Sequence, residues 1–379
     1  MKMNRIVGIV KCSDYNTAKV CRSVEKALQI TGFPDVKGKN VLIKPNLLSG
    51  AMPEKAVTTH PEILRAAIRK VKKEGAARIL VGDSPGFHNS NTAAEKAGLL
   101  EVIREEGGAL WTVFEKMTSF HSSKAKFVKE FQLAKQVEDV DIIINLPKMK
   151  NHQLMYITGA MKNLFGLVSG LSKSKYHMRF PDKDHFAEMI ADLNLMLPEV
   201  FTIMDGIVAM EGHGPGNGVP RNTGLILASP NVLAIDIAMA RITGYKPEEI
   251  PTIISGLKRG TWLTDVSQIS TPGIDLEDLV IHGFDRIEML NENGFFKRYL
   301  PSPVYKFVHR ITIPVPVFKK DSCIRCGECI KICPADALSF HGKTKNKMVI
   351  PDYHKCIRCY CCHEICPADA IDIKRKLFY

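Results

Sequence analysis

The sequence predicts an α/β protein: a mainly parallel sheet covered by helices, followed by a small α+β domain rich in cysteine. Three observations carry this. Over the first 290 residues, short apolar segments alternate with amphipathic ones, the pattern of a parallel sheet buried on both faces. Nine of the eleven cysteines fall after residue 320, which sets the end of the chain apart. With 379 residues, 45% apolar and 24% charged, the chain is long enough for two or three domains and has a globular composition.

The elements follow in order. "NVLIKPNLL" reads as a buried strand and a loop. "THPEILRAAIRKVKKEG" reads as a helix with a capping box of Thr59 and Glu62. Its apolar face is Ile63, Leu64, Ala67, Ile68 and Val71, and Gly75 closes it. "ARILVGDSPG" is the next strand, followed by a helix near residues 91–106 and strands at "ALWTVF", "DVDIIIN", "VFTIMDG" and "TGLILAS". The domains are then 1–290, an α/β domain; 291–319, a connector; and 320–379, the cysteine domain. In the connector, prolines at 301, 303, 314 and 316 exclude a long helix, and its aromatic and basic residues suit either a membrane surface or a semi-rigid spacer packed along the large domain.

In an open parallel sheet the ligand site lies beyond the carboxyl ends of the strands. The polar residues directly after predicted strands are Lys44, Asn46, Asp83, Ser84, Asn145, Lys148, Asp205 and Glu211. Four strand ends deliver them, so the segment "NLPKMKNHQLMYITGAMKNLFG" belongs with a site. Lys44, Lys148, Lys150 and Lys162 suit an anionic ligand, while Lys148 and Lys150 read equally well as solvated loop residues. Lys162, in an apolar helix, needs a partner or a lowered pKa and suits covalent or proton-transfer chemistry. His152 is either an acid–base group or a loop cap. His213, in "MEGHGPGNG", forms a ligand loop or, with Asp205 and Glu211, a loose metal set. Asp236, in "NVLAIDIAMA", needs a partner if buried. No G-x4-G-K-[ST] and no G-x-G-x-x-G after a strand occurs, so neither nucleotide signature is present.

No apolar run reaches the 18 residues of a membrane span and no secretory signal is visible, so the chain is expected in the cytoplasm with its thiols reduced. The net charge of +12 is uneven: from Phe295 onward there are 16 Lys and Arg against 7 Asp and Glu. That excess lies beside the cysteines, where it suits an acidic redox partner without invoking nucleic acid.

"CIRCGECIKICPADAL" from Cys323 and "CIRCYCCHEICPADAI" from Cys356 agree at 11 of 16 positions at an offset of 33 residues. Each holds C-x2-C-x2-C-x3-C-P, and so resembles the bacterial two-cluster ferredoxins. The resemblance implies a ferredoxin-like domain with two 4Fe-4S clusters, one on Cys323, Cys326, Cys329 and Cys366, the other on Cys356, Cys359, Cys362 and Cys333. Paired zinc knuckles are the rival reading, and Cys361 is out of frame, a spare or packed thiol.

"VLIKPNLL", "THPEILRAAIRKVKKEGA", "VGDSPG", "DIIINLPKMKNHQLMYITGAMKNLFG" and "DGIVAMEGHGPGNG" occur in the order seen in the domain-of-unknown-function 362 family, which this chain resembles over roughly residues 5–285. Its members often carry such a tail, so the resemblance implies a fold and site residues but no reaction. His152 and Lys162, ten residues apart, are also similar to a His–Lys pair of the lactate-racemase-type enzymes, whose lysine holds a nickel-containing pyridinium; the likeness ends with that pair. The expectation is an iron–sulfur oxidoreductase, purified anaerobically, that passes electrons to or from an unidentified, anionic small molecule in the α/β domain, with Lys162 and His152 catalytic. The alternative is a non-enzymatic carrier docking a redox partner.

Overall fold

Lys44, Asp83, Asn145 and Asp205 come together because the strands that carry them are neighbours in one sheet. The computed structural model describes residues 5–86, 89–288, 313–342 and 347–375. Its strands are β1 (Gly8–Lys11), β2 (Asn40–Pro45), β3 (Arg78–Val81), β4 (Leu110–Trp111), β5 (Met117–His121), β6 (Glu130–Ala134), β7 (Ile142–Leu146), β8 (Lys148–His152), β9 (Tyr156–Ile157), β10 (Glu199–Glu211), β11 (Val219–Ser229), β12 (Val315–Phe318), β13 (Leu338–His341), β14 (Met348–Pro351) and β15 (Ile371–Lys374). The helices used below are α1 (Thr17–Thr31), α2 (Pro61–Lys73), α3 (Ser90–Lys96), α4 (Leu99–Glu106), α5 (Ala160–Asn163), α6 (Lys183–Asn194), α7 (Val232–Ile242), α8 (Pro251–Arg259), α9 (Glu328–Ile332) and α10 (Cys361–Ile365).

The described residues divide into two compact units, one taking those up to Lys173 together with Lys183–Ile287, the other Ser174–Asp182 and those from Glu288 on. In the first, the sheet runs β1-β11-β10-β7-β2-β3-β4. The pairs β10–β7, β7–β2, β2–β3 and β3–β4 are parallel and only β11 runs against its neighbours. The α/β expectation therefore holds. Every residue of β7 is buried and β2 is buried from Val41 on, as two covered faces require. One side of the sheet packs Val41, Ile43, Ile142 and Ile144 against Val20 and Val24 of α1 and Ile63 and Ile68 of α2.

The structure corrects the sequence at four places. Lys148 and Lys150 are not in a loop but in β8, which continues past Pro147 along the same side of β10 that β7 occupies: Thr202 faces Asn145, Asp205 faces Lys148 and Met210 faces Lys150. The α2 cap is His60, whose Nδ1 accepts from Glu62 N at 3.2 Å. Thr59 instead accepts from Asn46 N at 2.8 Å and donates to Leu146 O at 2.6 Å, and Glu62 pairs with Arg65 at 3.0 Å. The helix expected near 91–106 is two, α3 and α4, divided at Gly98 with φ 74°. In "ALWTVF" only Leu110 and Trp111 form a strand.

The second unit is built twice over. Antiparallel pairs β12–β15 and β13–β14 accompany α9 and α10. Left-handed residues recur at the 33-residue offset, Arg325 and Arg358, Gly327 and Tyr360, Asp336 and Asp369. Ala337 N donates to Cys333 Sγ and Ala370 N to Cys366 Sγ, both at 3.3 Å. Most of the expected connector lies outside the described residues, and its end, Val315–Phe318, is β12 and pairs with β15.

Thr59→Val removes both Thr59 hydrogen bonds while keeping the side-chain shape. It is expected to lower stability by about 1–3 kcal/mol in urea unfolding, with Thr59→Ser recovering most of the loss.

Candidate functional site

Two buried lysine–aspartate pairs stand at the carboxyl ends of the strands. Lys44, the penultimate residue of β2, is fully buried and donates to Asp83 Oδ1 and to Pro45 O, each at 2.9 Å. Asp83 also accepts from Ser84 N at 2.8 Å and Leu47 N at 2.7 Å. Burial pushes the Lys44 pKa down and Asp83 opposes the shift. The sheet register sets the second pair, since Lys148 lies opposite Asp205, and its Nζ donates to Asp205 Oδ2 and Tyr15 Oη at 2.8 Å. Tyr15 in turn donates to Asp205 Oδ1 at 2.8 Å, and His60 N donates to Oδ2 at 2.9 Å. The rings of Tyr15 and His60 stack at 3.5 Å. Burial, reinforced by Asp205, holds Tyr15 protonated far above the ordinary phenol range, and burial lowers His60 to about 4.

Between the pairs runs a file of amides. Asn46 Nδ2 donates to Asn163 at 2.9 Å, Asn163 Nδ2 to Asn145 at 2.8 Å, and Asn145 Nδ2 to Ala160 O at 3.1 Å. Asn46 Oδ1, at the open end, is buried without a hydrogen-bond partner. The glycines of "TGAMKNLFG" are close-approach residues. A Cβ at Gly166 would strike the Lys44–Asp83 pair, and one at Gly159 the Asp236 carboxylate. Asp236, on α7, accepts from Ala160 N and from Met161 N at 3.1 Å. It therefore holds the start of α5, the single turn that carries the partly exposed Lys162. With no cation among the causes of its shift, burial raises Asp236 to about 7 against its two N–H donors.

The remaining predicted residues have protein partners. Lys150, 1% exposed, donates to Val57 O at 2.7 Å. His152 Nδ1 accepts from Leu154 N at 3.1 Å and Met155 N at 3.4 Å, the loop-cap geometry. Ser84 Oγ accepts from Gly170 N at 2.8 Å. Glu211 accepts from Asp285 N at 3.1 Å, and exposed His213 meets Gln153 at 3.3 Å; with Asp205 joined to Lys148, the three members of the loose metal set each have separate partners. Tyr15, His60, Thr59 and Asn163 were missed. Tyr15 follows β1, a strand whose four residues carry little periodic signal, and Asn163 is flanked by the more conspicuous Lys162.

In the second unit Cys323, Cys326, Cys329 and Cys366 line one cavity, together with Ile324 and Ile371. Three come from the first run and the fourth from the second. Burial and then Cys366, Cys326 and Cys323 push the Cys329 thiol up to about 12. Cys362 is likewise pushed up by burial and by Cys359, Cys356, Cys329 and Cys333. Thiols that oppose one another's ionisation this strongly suit a cationic group among them, and a cysteine quartet suits an iron–sulfur core.

The profile of a family described as a domain of unknown function (DUF362) matches residues 41–241, and that of a 4Fe-4S dicluster domain matches residues 322–370. The chain is also similar to a thylakoid-associated protein of Synechocystis sp., 32% identical over 292 residues, or 76% of this chain and 89% of that protein.

Lys148→Met leaves Asp205 buried without its cation and is expected to lower stability by about 3–5 kcal/mol in chemical unfolding. Asp236 gives a pH signature. Its folded pKa of about 7 lies above the ordinary 3.8, so the unfolded chain releases that proton first and stability falls as pH rises from 4 to 7, by up to about 1.4 kcal/mol per unit. Asp236→Asn is expected to remove that slope from urea titrations across the range.

Proposed function

We propose, of a chain that belongs to the DUF362 family and ends in a 4Fe-4S dicluster domain, that it carries electrons between protein partners through two 4Fe-4S clusters. The observation that carries this is the gathering of Cys323, Cys326, Cys329 and Cys366 around one cavity. These four would hold one cluster; Cys333, Cys356, Cys359 and Cys362 would hold the other. When bound, such clusters supply one-electron transfer without bond making in the protein. The chain's part is to hold the thiolates, to donate Ala337 and Ala370 N–H groups to the two crossing sulfurs, and to keep water from the buried Cys329, Cys359 and Cys362. Exposed Ile324 beside Cys323, with Lys320, Arg325 and Lys347 near it in the chain, suits an acidic redox partner.

The carrier takes precedence over an enzyme acting on an anion because Lys44 and Lys148 are buried against Asp83 and Asp205. The oxidoreductase stands as the second reading, favoured by one observation, the buried and partnerless Asn46 Oδ1. A ligand there would donate a hydrogen bond to it. Lys162 is the notebook candidate for chemistry that α5 leaves partly exposed, whereas His152 Nδ1 is already engaged. Among the described residues no helix is long and apolar enough to cross a membrane. We place the chain in the cytoplasm, where thiols stay reduced; recovery in washed membranes on fractionation would place it instead where its thylakoid-associated relative is named.

The test is anaerobic reconstitution of the full chain. About eight irons are expected. Cys323→Ala and Cys366→Ala should each halve the count and abolish the same electron paramagnetic resonance signal, and Cys333→Ala the other one. If Cys366→Ala and Cys333→Ala abolish one and the same signal, the crossed ligand sets are wrong. Mass retained beyond the clusters in native spectra, and lost in Asn46→Ala, would establish the second reading.

A further inference from the structure

The second cysteine run contains a thiol that neither ligand set uses. Cys361 is 5% exposed and opens α10. Before it Tyr360 holds a left-handed φ of 61°, which turns the chain so sharply that both the backbone N–H and the thiol of Cys361 reach the sulfur of Cys359. The first run makes the same turn, with Gly327 at φ 78°. The residue that follows there is Glu328, and its carboxylate meets Lys331 at 2.8 Å. One backbone geometry thus presents an engaged carboxylate in the first run and a hydrogen-bond donor, aimed at a ligand sulfur, in the second.

Hydrogen bonds to ligand sulfurs favour the more negative, reduced state of a cluster and so raise its potential. The charged groups around Cys359 and Cys361 are Glu364, on α10, whose charge bears on both, and Arg358, whose guanidinium turns back to Cys356 O at 3.1 Å. Glu364 acts in the opposite sense, since a nearby carboxylate disfavours added negative charge. We infer that Cys361 is a tuning residue: its S–H donates to Cys359 and holds the potential of the cluster on Cys333, Cys356, Cys359 and Cys362 above the value Glu364 would otherwise set. The inference rests on the two-cluster reading above. It gives the out-of-frame thiol a task that packing alone does not.

The experiment is a potentiometric titration of the full chain, reconstituted anaerobically and followed by electron paramagnetic resonance, with Cys333→Ala used to identify the second cluster's signal. Cys361→Ala should make reduction of that cluster about tenfold less favourable, which is about 59 mV for a one-electron couple. The iron count and the other cluster's potential should not change. Cys361→Ser, which keeps a donor, should restore most of the shift, and Cys361→Val removes the donor with little loss of volume should the alanine variant not fold. Unshifted potentials in the alanine and valine variants overturn the inference. So does the loss of half the iron, which would make Cys361 a ligand. A wild-type chain that takes up zinc in place of iron overturns the two-cluster reading instead, before the variants are compared.

Discussion

The Asp205 carboxylate is the contact on which the carboxyl end of the sheet depends. It receives Lys148 from β8, the phenol of Tyr15 from the turn after β1, and the His60 amide from the entrance of α2. Three segments distant in sequence are thereby tied to β10, and Lys148 can remain buried only because this partner compensates it. The same construction recurs. Asp83 gathers Lys44 and the amides of Leu47 and Ser84, while Asp192 on α6 gathers Arg259 of α8 and the amides of Phe127 and Val128. Asp236 holds α5 with amides alone. Buried carboxylates stitch loops to a scaffold here by satisfying backbone donors that would otherwise be stranded away from water.

That construction shapes the functional reading. A cluster of conserved-looking lysines and aspartates at strand ends invites the idea of an anion site, yet each charge is matched from within the protein. What stays unmatched among the described residues is a single amide oxygen on Asn46, a far smaller opening for ligand chemistry. The cysteine unit shows the contrary arrangement. Its thiols face one another rather than partners of opposite charge, which is a strained state for a protein alone and a natural one around metal.

The sheet was legible because Val, Ile and Leu fill β2, β3 and β7 without interruption, as full burial demands. The cysteine runs were legible because ligand spacing is a local property of the chain. β8 was not, since "KMKNH" has neither alternation nor apolar bulk; it is a strand because β10 extends beyond Pro147 and offers it a ladder. The roles of Lys44 and Lys148 were hidden for a related reason. Sequence shows that a residue follows a strand, but whether it meets solvent or an aspartate from another strand is decided by register. Thr59 was assigned to a helix cap because the local capping pattern was complete, and the tertiary bonds to Asn46 and Leu146 prevailed. The 33-residue repeat announced two equivalent halves, but only the left-handed turn at Tyr360 revealed that the residue after it differs in task.

The cavity shared by Cys323 and Cys366 also has a bearing on biosynthesis. The fourth wall of that cavity is made 43 residues after the first, so at about 5–20 residues per second of elongation the earlier thiols exist for about 2–9 s before their partner has been synthesised. Interleaving makes the second quartet wait as well, since Cys333 precedes the rest of its set. Neither cluster can be completed on a half-made domain, and cofactor loading becomes a late, nearly simultaneous event that reports on the integrity of the whole tail.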